Sequence, residues 1–227
     1  MHRNSHLPRP LRKKGFTLVE IIVTMTILTI VMAGLATFMV DSARGMFWSV
    51  NKAKISKDIR LFTLRITKET LGANVGYVYP NYQLANRDDI SDRRQSGTSG
   101  DCLVLIHTDP YPTINDPKHY NRIVIYYREA DEDGVSPVYR VEKTFDPPLP
   151  IDTTAGVDHF ESFLATHFLS HSPADSEVVL ELARGLADGR LFRNVGNNSF
   201  VINGEIIHGN EIKEVTNTYN LTISPRG

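Results

Sequence analysis

Between Glu20 and Asp41 the chain runs for twenty residues, IIVTMTILTIVMAGLATFMV, without a charge. As a helix such a run spans a hydrocarbon layer about 30 Å thick. Past Asp41 the pattern turns periodic. Phe47, Val50, Ile55, Ile59, Phe62 and Ile66 recur every three to five residues, and Lys52, Lys57, Arg60 and Lys68 fall between them. That is the signature of an amphipathic helix laying one stripe on its own protein. No proline interrupts residues 16–72, and Gly72, Asn74 and Gly76 supply stop signals. The pattern therefore predicts one helix over 16–72, about 85 Å long at the usual rise. After it come short apolar runs separated by turn residues: CLVLIH (102–107), RIVIYYR (122–128), VYRVEKTF (138–145), VVLELA (178–183) and a final VTNTYNLTIS. Residues 199–208 read as two strands flanking Asn203-Gly204, a pair suited to a tight hairpin turn. Residues 81–101 read as a long polar connection and 158–169 as a short helix. A long N-terminal helix followed by an antiparallel β-rich head is an α+β architecture.

Charge sharpens this division. Residues 1–15 hold five basic groups and no acid, residues 16–72 seven basic groups against four acids, and residues 73–227 thirteen against twenty-two, although the net charge is only -1. An acidic head is a poor partner for phosphate backbones, so nucleic acid is not an expected ligand. The basic cluster ahead of the apolar run keeps the N-terminus cytoplasmic by the positive-inside rule and sends the head across the membrane. At 41% hydrophobic and 22% charged residues the chain has the composition of a folded domain. Cys102 is the single cysteine, which excludes an intramolecular disulfide and a zinc site built on several thiolates.

Catalytic chemistry finds little footing. His159, His167 and His171 lack the carboxylate or cysteine spacing that would complete a metal motif. Asp131-Glu132-Asp133-Gly134 is half of a calcium loop, with Asp131 and Asp133 as the candidate ligands, but the distant glutamate is missing, and a solvated turn is the expectation. Tyr126, Tyr127 and Tyr139 fall on neighbouring strands and are expected to pack within the sheet. There is no nucleophile elbow, phosphate loop or dinucleotide fingerprint, so neither an enzymatic activity nor a cofactor is expected.

The most informative stretch is RKKGFTLVEIIV, residues 12–23, where three basic residues and a glycine abut the apolar run and one carboxylate, Glu20, is set inside its margin. An ordinary signal peptide cut after Gly34-Leu35-Ala36 would explain the charge and the apolar run. So would a plain membrane anchor. Neither needs Glu20, whose ionised side chain would cost roughly 2.5 to 3.5 kcal/mol at the bilayer centre and less near the headgroups. Lys13-Lys14-Gly15-Phe16-Thr17-Leu18-Val19-Glu20 resembles the cleavage and methylation signal of type IV prepilins and type II secretion pseudopilins. The resemblance is sharp over residues 12–40. It implies that a prepilin peptidase recognises Arg12, Lys13 and Lys14, cuts between Gly15 and Phe16, and methylates Phe16. The chain would then divide into a leader (1–15), a membrane or filament-core helix (16–40), an amphipathic continuation (41–75) and a β-rich head (76–227).

On the family pattern Glu20 neutralises the new terminal ammonium of a neighbouring subunit and so sets axial register; pairing with its own terminus is the competing geometry. The implied partners are the prepilin peptidase, other pilin or pseudopilin subunits, an inner-membrane assembly platform and membrane lipid. The chain departs from many family members in lacking a proline within the apolar helix, Thr37 standing where it would be counted. The stretch SKDIRLFTLRITKETLGANVGYVY is similar to J-type pseudopilins and W-type minor pilins. The rival expectation is an exported or membrane-anchored enzyme or ligand-binding domain that uses residues 16–40 only for targeting.

Overall fold

A computed structural model describes residues 15–82, 97–108, 119–129, 134–150, 176–210 and 213–226. Among these residues one helix, α1 (Leu18–Gly72), is followed by nine strands: β1 (Val75–Tyr79), β2 (Ser99–Gly100), β3 (Cys102–Thr108), β4 (His119–Arg128), β5 (Ser136–Pro150), β6 (Glu177–Gly185), β7 (Phe192–Gly196), β8 (Ser199–Asn210) and β9 (Lys213–Ile223). This is the α+β, pilin-like order that the sequence predicts, with a long apolar N-terminal helix and a C-terminal antiparallel sheet. The chain divides into two compact units, Met1–Trp48 and Ser49–Gly227.

In the first unit every described residue is exposed. Its helix is long and apolar enough to cross a membrane. The threonines inside it do not spoil that property. Thr26, Thr29 and Thr37 donate their hydroxyls to the carbonyls of Ile22, Met25 and Ala33 at 2.8 to 3.0 Å, and Thr24 reaches the Glu20 carbonyl at 2.8 Å. A hydroxyl satisfied within its own helix needs no water, which suits an apolar surrounding.

In the second unit the strands form one antiparallel sheet in the order β1-β3-β4-β5-β6-β8-β7-β2, with β9 alongside β8. The apolar runs of β3 and β4 are continuous because both faces are buried. Leu103, Leu105, Val124 and Tyr126 join Ile55, Phe62 and Ile66 of α1 in one core cluster. Their alternating neighbours Cys102, Val104, Ile123, Ile125 and Tyr127 form a second cluster on the opposite face. Of the predicted helix stripe, Ile55, Phe62 and Ile66 are buried and Ile59 packs against them. Phe47 and Val50 are exposed.

The margins of the sheet are treated differently. At one margin β1 is fastened to the β7–β8 turn: Gly76 N donates to Asn198 Oδ1 at 3.1 Å, and Asn198 Nδ2 donates to Asn74 O at 3.1 Å. At Gly100 a Cβ would lie 1.9 Å from the Tyr79 carbonyl oxygen, so only glycine lets β2 pass the end of β1. Beside this crossing sits a fully buried ion pair. Asp101 accepts from Arg128 Nε at 3.0 Å and Nη2 at 3.1 Å, from Arg190 Nη1 at 3.1 Å and from Leu191 N at 3.0 Å. Arg128 also donates to the carbonyls of Gly134, Ala183 and Gly189 at 2.8, 3.2 and 2.7 Å. One guanidinium thus ties the end of β4 to β6 and to the segment leading into β7.

The hairpin expected at Asn203-Gly204 is not there. β8 is continuous through both residues, and the tight turn falls at Asn197-Asn198, where φ is 50° and 55°. Two successive left-handed residues make the twist-matched turn, and asparagine tolerates that conformation. Residues 203 and 204 lie where β8 changes partners, from β7 at Ser199–Ile202 to β6 at Gly204–Ile206. Asn203 N donates to Leu191 O at 2.9 Å, and Asn203 O accepts from Leu186 N at 2.9 Å. A Cβ on Gly204 would come within 2.6 Å of Leu191 Cδ1, so this glycine serves close packing rather than a turn. Strands β1, β2 and β7 were not expected, and β2 falls inside the supposed polar connection. The predicted helix at 158–169 lies outside the described residues.

Candidate functional site

At the head of α1 the residues Gly15, Phe16 and Thr17 are not yet helical. Gly15 is exposed, and among the described residues nothing lies within 4 Å of where a Cβ on it would stand. Thr17 is the N-cap. Its carbonyl accepts the first helical bond from Ile21 N at 3.2 Å, and its hydroxyl oxygen accepts from Glu20 N at 3.3 Å. Glu20 closes the loop, its Oε2 accepting from Thr17 N at 3.2 Å and from the Thr17 hydroxyl at 3.3 Å. This reciprocal Thr-x-x-Glu arrangement is a capping box. It satisfies two amide donors that the first helical turn leaves without partners and sets a negative charge at the positive end of the helix dipole. The cap stabilises the helix start by about 1 kcal/mol. Glu20 is exposed here, so its carboxylate has a local employment apart from any partner molecule. Arg12, Lys13 and Lys14 lie outside the described residues.

The family model for the prokaryotic N-terminal methylation motif matches residues 10–36. These residues are a prepilin-type signal. No curated protein and no solved structure matches the chain. The prepilin-type signal takes in the basic cluster, the Gly15-Phe16 peptide, the capping box and the first part of the apolar helix. Within it, the exposed Gly15 and Phe16 precede a capped helix start at Thr17. The sequence exposed each of these residues, but it presented Glu20 only against the membrane. The Thr17-to-Glu20 spacing that makes the cap was equally legible there.

The head contributes charged chemistry of another kind. Glu69, buried on α1, accepts from Arg140 Nη2 at 2.6 Å, from Arg122 Nη2 at 3.2 Å and from the Tyr126 hydroxyl. Burial and the Glu69 carboxylate push the Tyr126 phenol far above its ordinary range, so it remains a donor. Arg140 and Arg122 also grip Glu142. Glu142 pays some desolvation, yet the two guanidiniums hold its carboxyl below the usual value. Arg65 pairs with Glu177, and His208 Nε2 lies 2.7 Å from Asp58 Oδ2. These pairs fix the second half of α1 to β4, β5, β6 and β8.

The tyrosines belong to the sheet packing. Tyr127 stacks on Tyr82 with ring centroids 4.1 Å apart and on Tyr139 at 5.3 Å. Tyr126 meets Phe62 edge-on at 5.9 Å. A groove of about 540 Å³ beside α1 brings His107 near Lys68 and Arg122, where burial, followed by the Arg122 charge, lowers the imidazole pKa. His159, His167, His171, Asp131 and Asp133 lie outside the described residues.

Proposed function

We propose that this chain is a minor pilin or pseudopilin, a structural subunit rather than an enzyme. A prepilin peptidase removes residues 1–15 at the Gly15-Phe16 bond and methylates Phe16. The mature subunit is held in the inner membrane by the start of α1, with its N-terminus cytoplasmic and its head periplasmic, until an assembly platform moves it into a filament with other subunits. Its helix-to-sheet stretch is similar to that of J-type pseudopilins and W-type minor pilins. The observation that carries this reading is the methylation motif over residues 10–36, joined to an exposed Gly15 ahead of a capped apolar helix.

The deciding experiment is to sequence the N-terminus of the protein recovered from membranes of cells that express a prepilin peptidase. Methylated Phe16 is expected; a terminus at Thr37, or the intact leader, would overturn the reading. Gly15→Leu supplies the companion test. A Cβ there meets nothing within 4 Å among the described residues, so the head's folding is expected to be untouched, whereas a peptidase that must press its catalytic groups against the backbone is obstructed. The expected outcome is accumulation of full-length precursor, read by mass spectrometry. Loss of the fifteen-residue leader from that variant would place the cut elsewhere.

A further inference from the structure

Among the described residues, no strand pairs with the margin opposite the fastened one. Among the described residues β9 has β8 as its only strand partner, and the β8–β9 ladder runs from Phe200↔Ile223 to Asn210↔Lys213 without a register shift. Edge strands in soluble proteins are ordinarily blunted by charge, proline or a bulge, because their free amides and carbonyls recruit other strands. From Val215 to Ile223, VTNTYNLTI, there is neither a charge nor a proline. Thr216, Thr218, Asn220 and Thr222 are exposed on one face, while Val215, Tyr219 and Ile223 belong to the core cluster on the other.

The strand is also nearly self-complementary. Turned end for end about Tyr219, it sets Thr216 against Thr222, Thr218 against Asn220 and Val215 against Ile223. Every polar position on the outer face meets a polar position, and on the other face Val215 meets Ile223 and Tyr219 meets its own copy, Asn217 against Leu221 being the one mixed pair. We infer that two copies of this chain pair through their β9 strands, antiparallel, about a two-fold axis at Tyr219. Such a contact is isologous, and it continues the core cluster from one copy into the next. Threonine pairs across strands are favourable, and the uncharged edge offers no repulsion to its own copy. This inference stands apart from the leader's processing, since it concerns β9 alone.

The test uses the full chain in membranes. Thr218→Cys with Asn220→Cys places cysteines opposite one another in the two-fold register, at the 4.5 to 5.5 Å Cα separation expected of facing antiparallel residues, within reach of a disulfide. Oxidation is expected to give a disulfide dimer that the parent, whose Cys102 is buried, does not form. Adding Thr216→Lys and Thr222→Lys sets like charges opposite each other twice and should lower dimer yield about fivefold. Combining Thr216→Lys with Thr222→Glu instead sets opposite charges face to face and should restore it. Residues 216 and 222 of one chain are about 20 Å apart along the strand, so the two charge patterns differ little within a monomer. Near-UV circular dichroism matching the parent verifies the fold of each variant. Absence of the dimer, equal yields from both charge patterns, or cross-linking to a different protein in place of a second copy would each overturn self-pairing.

Discussion

At the scale of single residues, Glu20 has two roles to separate. In the chain as described it completes a cap, accepting from Thr17 N at 3.2 Å, and its loss there costs about 1 kcal/mol. In a filament it would face a neighbour's terminal ammonium, and leaving that ammonium buried without a partner costs roughly 3 to 5 kcal/mol. Glutamine serves a capping box nearly as well as glutamate but carries no charge, so it divides the two roles. Glu20→Gln and Glu20→Ala are both expected to lose the leader normally, because the cut precedes position 20. Both are expected to fall out of the sheared filament fraction while mature protein stays in the membrane, as read by paired immunoblots. Recovery of filament entry by Glu20→Gln alone would show that assembly needs the cap and not the charge.

At the scale of elements, the join between α1 and β3 is expected to lose stability as pH falls. His107 Nδ1 lies 2.9 Å from the carbonyl of Gly72, the last residue of α1, and donates to it when the neutral ring carries its proton on Nδ1. Burial, then the Arg122 charge, lowers the folded-state pKa below the ordinary 6.5. Between that lowered value and 6.5 the unfolded chain binds the proton and the folded chain does not, so stability is full above about 6.5 and falls as pH drops through this window. The Tm of the detergent-solubilised chain, followed by tyrosine near-UV dichroism, should fall between pH 7.5 and 5.5, and His107→Gln should flatten that slope. An unchanged slope would remove His107 from the account.

The same join marks how far the sequence could be read. The helix and its stop at Gly72 followed from periodicity, and β3 and β4 from unbroken apolar runs. β7, FRNVG, alternates buried Phe192 and Asn194 with exposed Arg193 and Val195, and a buried asparagine defeats an apolar template. β2 is two residues long and exists only because Gly100 passes beneath Tyr79. Asn203-Gly204 carried a turn signal that tertiary packing overrode. The prepilin-type motif was legible because it is linear; the Glu69 and Arg128 clusters were not, since each gathers residues far apart in sequence.

At the scale of the molecule, the charge division along the chain and the two margins of the sheet have separate consequences. Basic residues dominate before Gly72 and acids after it, and the two acids on the head's part of α1, Asp58 and Glu69, are engaged by His208 and by two arginines. A two-fold β9 contact would close after two copies, so it cannot by itself propagate a filament, whereas a helix bundle can. The fastened margin depends on Arg128, which is fully buried with Asp101. A buried pair of this kind adds little over a well-packed apolar substitute, yet breaking it from one side strands a charge. Arg128→Met should therefore destabilise the head by about 3 to 5 kcal/mol, the more so because the Gly134, Ala183 and Gly189 carbonyls lose their donor. Arg128→Lys keeps the charge but cannot fork between two carboxylate oxygens and three carbonyls, and should recover only part of the loss. The Arg128→Met, Asp101→Ala double variant should be less unstable than the sum of the two single losses, since no unpaired carboxylate remains. Denaturant midpoints of the full chain in detergent, read from the tyrosine near-UV signal, measure all four, and strictly additive losses would mean that the two side chains act independently and that the sheet margin is held by something else.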